Sequence, residues 1–319
     1  MVRSARADRE SAAGRAERAG ARRAGKPRRH GAEDRGLWRG VLMRDHVIEG
    51  GGGVKLQMSD EGPEDAPALL FVHGWAQHRV CWQAQAPLAG RFRVVTLDLR
   101  GHGASGKPAE DAAYTDAALW GADIHAIIET LELRDPLLIG WSYGARVISS
   151  YIAHHGQNAI SGIALVGGII AIGASREDWM MGEDSPALNR DLYTNDQTRL
   201  MPATADFVET CTHRPLPRRV YGTMVAANML VPPHVRRALF KGDWDCRPVW
   251  QDFTRPALVL HGAQDRIVLP AVGAAAAEAL PEARHSVWEE TGHAPFAEDP
   301  ERFNAEIAAF AQAAQKEAG

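Results

Sequence analysis

Short apolar runs of strand length recur along the chain from about residue 54, at 54–58, 69–72, 92–97, 137–141, 162–166, 257–260 and 285–288. Several are continuous rather than alternating, which is the pattern of strands covered on both faces. The stretches between them are long enough for crossover helices, and residues 117–131, 145–155, 271–280 and 300–314 carry helical patterning. Together these predict an α/β fold with a mostly parallel sheet, of an eight-stranded type, flanked by helices.

The rhythm breaks once. Between Val166 and Ala257 roughly 90 residues pass without a convincing central strand, and they carry Trp179, Met180, Met181, Tyr193, Phe207, Tyr221, Met224, Met229, Phe240, Trp244 and Trp250. A structureless loop of that length is improbable inside a compact domain. Residues 218–239 look helical, with a break at Pro232-Pro233. The expectation is a helical cap over 169–252 inserted into a core built from 43–168 and 253–319. Its large apolar residues read first as packing between cap helices.

Charge changes the picture at the amino end. Of 36 Lys and Arg, 12 fall within the first 40 residues, with only 5 of the 40 Asp and Glu. That stretch is rich in Ala, Arg and Gly and too poor in apolar side chains to offset the entropy of ordering, so residues 1–42 are expected to form a disordered basic extension. They lack the apolar core of a secretory signal, and a start at Met43 is the alternative. Without interleaved aromatics the extension does not read as a nucleic-acid-binding arm. No apolar run approaches the 18 or so residues of a membrane span, so no membrane partner is expected. Cys81, Cys211 and Cys246 are odd in number and include no CxxC pair. They suit a reducing cytoplasm better than a disulfide framework or a zinc site.

The candidate chemistry starts at Gly140-Trp141-Ser142-Tyr143-Gly144, a G-x-S-x-G pattern with a strand before it and a helix after. A sharp strand-to-helix turn needs small residues on either side of a serine held out at the strand's carboxyl end. A serine hydroxyl needs a base, and the base needs an orienting acid. Asp265 follows the strand at 257–260, and His293 follows the strand at 285–288. All three sit at strand carboxyl ends, where open parallel sheets place their ligands. Backbone N–H groups of Trp75, after the strand at 69–72, and of Tyr143, at a helix start, are placed to form an oxyanion hole. Trp75, Trp141 and Tyr143 are candidates to shape a substrate pocket. His73 is expected to brace its loop by hydrogen bonding, and Arg100 and His102 read as structural, since residues 97–108 have neither GxGxxG nor GxxxxGKS/T.

These motifs, with HGW at 73–75, DLRGHG at 98–103, HGAQD at 261–265 and GHAPF at 292–296, resemble the α/β-hydrolase superfamily over nearly all of residues 43–319. Within it, the chain looks most like the capped serine esterase and cofactor-free haloperoxidase-like branch. That resemblance implies a triad of Ser142, Asp265 and His293, a small-molecule acyl substrate, and neither metal nor cofactor. A serine at 142 argues against relatives that attack with aspartate, but ester, carbon-carbon bond, lactone and perhydrolase chemistry all share the triad. A non-catalytic small-molecule receptor on the same fold is the alternative from another class.

Overall fold

The computed structural model describes residues 43–281 and 283–318, so the basic extension expected at 1–42 lies outside the described residues. The strands are β1 (Met43–Glu49), β2 (Lys55–Glu61), β3 (Ala68–Val72), β4 (Arg93–Leu97), β5 (Leu137–Trp141), β6 (Gly162–Val166), β7 (Ala171–Ile172), β8 (Trp244–Asp245), β9 (Ala257–Gly262) and β10 (Arg284–Trp288). Eight of them make one sheet in the order β1-β2-β4-β3-β5-β6-β9-β10. From β4 to β10 each neighbouring pair is parallel, while β1 and β2 are added antiparallel at one edge.

The seven apolar runs became β2, β3, β4, β5, β6, β9 and β10. The eighth strand, β1, has no such run because one of its faces is open to solvent and its residues alternate between exposed and half-buried. Pairing rather than burial holds it. Every residue from Met43 to Glu49 faces a partner in β2. Arg44 reaches Asp60 at 2.8 Å, and the Ser59 hydroxyl donates to Asp45 at 2.8 Å.

The helices are α1 (Ala112–Thr115), α2 (Ala117–Thr130), α3 (Tyr143–His155), α4 (Gln197–Thr210), α5 (Arg218–Met229), α6 (Pro233–Ala238), α7 (Arg247–Gln251), α8 (Pro270–Ala279), α9 (Pro295–Glu298) and α10 (Pro300–Ala318). α2 starts where the Asp116 carboxylate accepts the Ala118 N–H, an N-cap that removes one orphan donor. Trp120, Ile124 and Ile127 of this helix are buried, as are all residues of β3, β5 and β6. Each such Leu, Ile or Val contributes about 1.5–3 kcal/mol through removal from water.

Helices α4 to α7 and several short 3-10 turns fill the interval between β6 and β9. The break foreseen at Pro232-Pro233 falls between α5 and α6, with Pro233 at the first position of α6, where a missing N–H costs nothing. β7 and β8 pair antiparallel, Ala171 with Asp245 and Ile172 with Trp244. This short ribbon ties the first residues of the inserted segment to its last helix. The three cysteines are free and buried.

Candidate active site

Ser142 occupies the sharp turn between β5 and α3 with φ 53° and ψ −112°. Such a backbone costs a non-glycine residue on the order of 1–3 kcal/mol and persists only where its surroundings enforce it. Two glycines allow the turn. A Cβ at Gly144 would lie 2.4 Å from the Val72 carbonyl oxygen, and one at Gly140 would lie 2.8 Å from the Gly144 backbone. The Ser142 N–H donates to Val166 O at 2.9 Å, and Ser142 O accepts from Ala145 and Ile169. Sheet and helix thus fix the serine from both sides.

Asp265 lies in the turn after β9. Its Oδ1 accepts the N–H groups of Ile267 (2.8 Å) and Val268 (3.0 Å), which sets the carboxylate's orientation. Its Oδ2 accepts His293 Nδ1–H at 2.7 Å. Burial alone would raise the Asp265 carboxyl, but the His293 charge and the hydrogen bonds of His261 and His293 outweigh it and hold the group far below the usual carboxylate range. His293, in the turn after β10, is tethered again at its backbone, where its carbonyl accepts Trp141 Nε1–H at 2.8 Å. With Nδ1 committed to Asp265, Nε2 is the ring nitrogen left for the serine hydroxyl. Ser142 and His293 line the same cavity.

The turn after β3 comes directly against the serine, since a Cβ at Gly74 would lie 3.1 Å from Ser142 Cβ. Ala76, in this turn, has φ 52° and is the second strained non-glycine residue at the site. Its N–H donates to His102 Nε2 at 3.2 Å, and His102 Nδ1–H donates to Arg100 O at 2.9 Å. His73 bridges in the same manner, accepting Leu99 N–H at Nε2 (3.0 Å) and donating from Nδ1 to Gly74 O (2.8 Å). Burial pushes the His73 imidazole down to about 3 and that of His102 well below its ordinary value, so both are neutral acceptors. Arg100 pairs with Asp123 at 2.7 Å. All three residues expected to be structural occupy bracing positions. Among the described residues neither the Trp75 nor the Tyr143 N–H donates to the protein's own backbone, and the latter belongs to the first residue of α3, at the positive end of its dipole.

Between the cavity's lining side chains lies about 660 Å³ free of protein atoms, a figure that includes open solvent. Trp75, Trp141 and Tyr143 all line it. Their polar ends are anchored: Trp75 Nε1–H on Arg236 O (3.4 Å) and the Tyr143 hydroxyl on Leu239 O (3.0 Å). The inserted segment supplies Met180, Met181, Phe207 and Phe240 to the wall. Those four therefore do more than pack between helices. Two residues at the site escaped sequence reasoning. His261 Nε2 lies 3.1 Å from Asp265 Oδ2, and Arg176 stands on the cavity wall. His261 was visible as the first letter of HGAQD, whereas nothing in the sequence near Arg176 marks it out.

Comparison with known proteins agrees with this architecture. The family model described as alpha/beta hydrolase family matches residues 69–306. The esterase RhEst1 from Rhodococcus sp. ECU1013 has a similar structure, with a TM-score of 0.79 and 31% identity, covering 85% of this chain and 98% of its own. The pimeloyl-acyl-carrier-protein methyl ester esterase of Nitrosomonas europaea is 29% identical over 75% of this chain and 93% of its own. The non-heme chloroperoxidase CPO-A1 of Kitasatospora aureofaciens is 27% identical over 81% of this chain and 96% of its own. With the family model spanning all the parallel strands and the serine turn alike, the chain belongs to the alpha/beta hydrolase family.

Proposed function

We propose that the protein is a serine hydrolase that cleaves a carboxylic ester or related small acyl compound through an acyl-enzyme. The observation that carries this reading is the 2.7 Å hydrogen bond from His293 Nδ1 to Asp265, which leaves Nε2 for a serine held in a strained turn on the same cavity. His293 takes the Ser142 proton as Oγ adds to the substrate carbonyl, and Asp265 holds the imidazole's tautomer and stabilises its positive charge. The N–H groups of Trp75 and Tyr143 receive the developing oxyanion. Losing one such donor costs about 100 to 1,000-fold in rate. His293 then protonates the departing alkoxide, and water, activated by the same ring, returns the serine. The helical insertion serves as a cap, whose apolar wall excludes solvent from the acyl group.

A panel of p-nitrophenyl esters run beside Ser142→Ala tests the reading directly. Turnover should fall by at least about 10⁴-fold in the variant, and a fluorophosphonate should label Ser142 stoichiometrically in the native protein. Undiminished turnover in Ser142→Ala would end it. The similarity to a non-heme chloroperoxidase favours a second use of the same acyl-enzyme. If hydrogen peroxide replaces water in the second step, the acyl group leaves as a peracid and the serine is regenerated.

A further inference from the structure

Arg176 is the one permanently charged side chain on the wall of the cavity that holds Ser142, among the described residues. Its guanidinium carbon lies 6.0 Å from the centre of the Phe240 ring, and that ring in turn stands 5.9 Å from Tyr143 and 6.0 Å from Trp75. Arg176, Phe240, Tyr143 and Ser142 all border the same space, so cation and serine share one cavity wall. Its side chain makes no hydrogen bond or ion pair with the described residues.

The neighbouring carboxylates are engaged elsewhere. Asp245 pairs with Arg247 at 2.8 Å, Glu177 approaches the same guanidinium at 3.7 Å, and Asp243 accepts the Ser175 N–H at 2.8 Å. The segment that carries Arg176 is fixed in place. It follows the β7–β8 ribbon through a turn in which Gly173 has φ 67°, and the Arg176 N–H closes onto Gly173 O at 3.3 Å. A half-buried guanidinium loses hydration without gaining an anion. A ligand carboxylate would restore what burial removes, because its two oxygens match the planar fork of arginine.

We propose that Arg176 binds a carboxylate at the far end of the acyl chain, so that half-esters of dicarboxylic acids are the favoured substrates. This rests on the acyl-enzyme reading above. In the reaction the Ser142 Oγ–acyl bond forms as the ester C–O bond breaks, and the serine proton leaves with the alcohol through His293. Water then yields the free dicarboxylate. Arg176 changes neither bond nor proton. It sets the reach of the chain, with the apolar methylenes lying along Phe240 and the charged end on the guanidinium.

The test compares p-nitrophenyl esters of matched length, one series ending in methyl and one in carboxylate, from five to eight acyl carbons. The ratio of kcat/KM for the anionic over the neutral ester should be about 10 to 100-fold greater in the native protein than in Arg176→Met at the best length, as charge-assisted hydrogen bonds imply. Arg176→Lys should keep part of the difference. Calorimetry gives a readout without turnover: monomethyl adipate should bind Ser142→Ala about tenfold or more tightly than it binds the Ser142→Ala, Arg176→Met double variant. A ratio that is the same with Arg and Met at every length, with Ser142 still labelled by fluorophosphonate, would overturn the carboxylate site and leave the serine reading intact. Loss of that labelling from the native protein would strike the serine reading instead.

Discussion

His261 stands 3.1 Å from Asp265, on the same carboxylate oxygen that receives the His293 ring. The contact is wholly buried, and His261 Nε2 also lies 2.9 Å from Val268 O. Burial lowers the His261 imidazole's affinity for a proton, but the Asp265 hydrogen bond and charge outweigh it and the net effect is upward. In the function proposed above, His261 positions the Asp265 carboxylate and acts through it. His261→Phe should lower kcat about tenfold, the cost of one hydrogen bond to a charged group, while KM changes little. His261→Gln, which retains a donor, should recover most of the loss. Equal kcat in all three proteins would show that the contact is only packing.

Asp265→Asn should cost about 10⁴-fold in kcat. The amide keeps an oxygen for the Ile267 and Val268 N–H groups, so the fold survives, but it offers a donor where His293 needs an acceptor. Because Asp265 stays ionised far below the usual range, its own titration should be missing from a pH–rate profile taken between pH 5 and 9. The profile and a melting curve of the variant check both statements.

Gly74→Ala probes the approach of the β3 turn to the serine. Its Cβ would stand 3.1 Å from Ser142 Cβ and 3.2 Å from the Trp141 ring, so the turn must shift by a few tenths of an ångström. Displacement on that scale should lower kcat about 10-fold and move Tm by only a few degrees. Steady-state kinetics beside calorimetry separates the two effects.

Acid should weaken the fold through its buried imidazoles. His73 titrates near 6.5 in the unfolded chain and only at about 3 in the fold. Above pH 6.5 neither state binds this proton and stability is unaffected. As pH falls from 6.5 towards 3 the unfolded chain gains the proton that the fold refuses, and stability drops by about 1.4 kcal/mol per pH unit for each such group. His102 acts in the same direction. Urea midpoints at pH 7, 6, 5 and 4 should fall steadily. A flat series would contradict the neutral braces.

The residues of the site were legible where sequence and chain direction agree. Ser142, Asp265 and His293 each follow an apolar run by a few residues, and parallel strands deliver such positions to one edge of the sheet. Strand β1 was illegible because its alternation reflects a solvent-facing edge held by pairing, not a covered core. The cavity wall was half legible. Aromatic and Met residues of the inserted segment stood out, but only coordinates distinguish Phe207 and Phe240, which line the cavity, from Trp250, which does not. Arg176 carries no local pattern at all, since its position depends on a ribbon whose second strand lies about 70 residues further along.

The hydrogen bond from Trp141 to the His293 carbonyl joins positions 152 residues apart. A ribosome therefore releases the strand that leads to Ser142 long before the loop that carries His293, and that loop follows β10, which among the described residues pairs with β9 alone. The turn that carries His293 is therefore held by a strand at the edge of the sheet and by a side chain from its middle, two segments far apart in the chain.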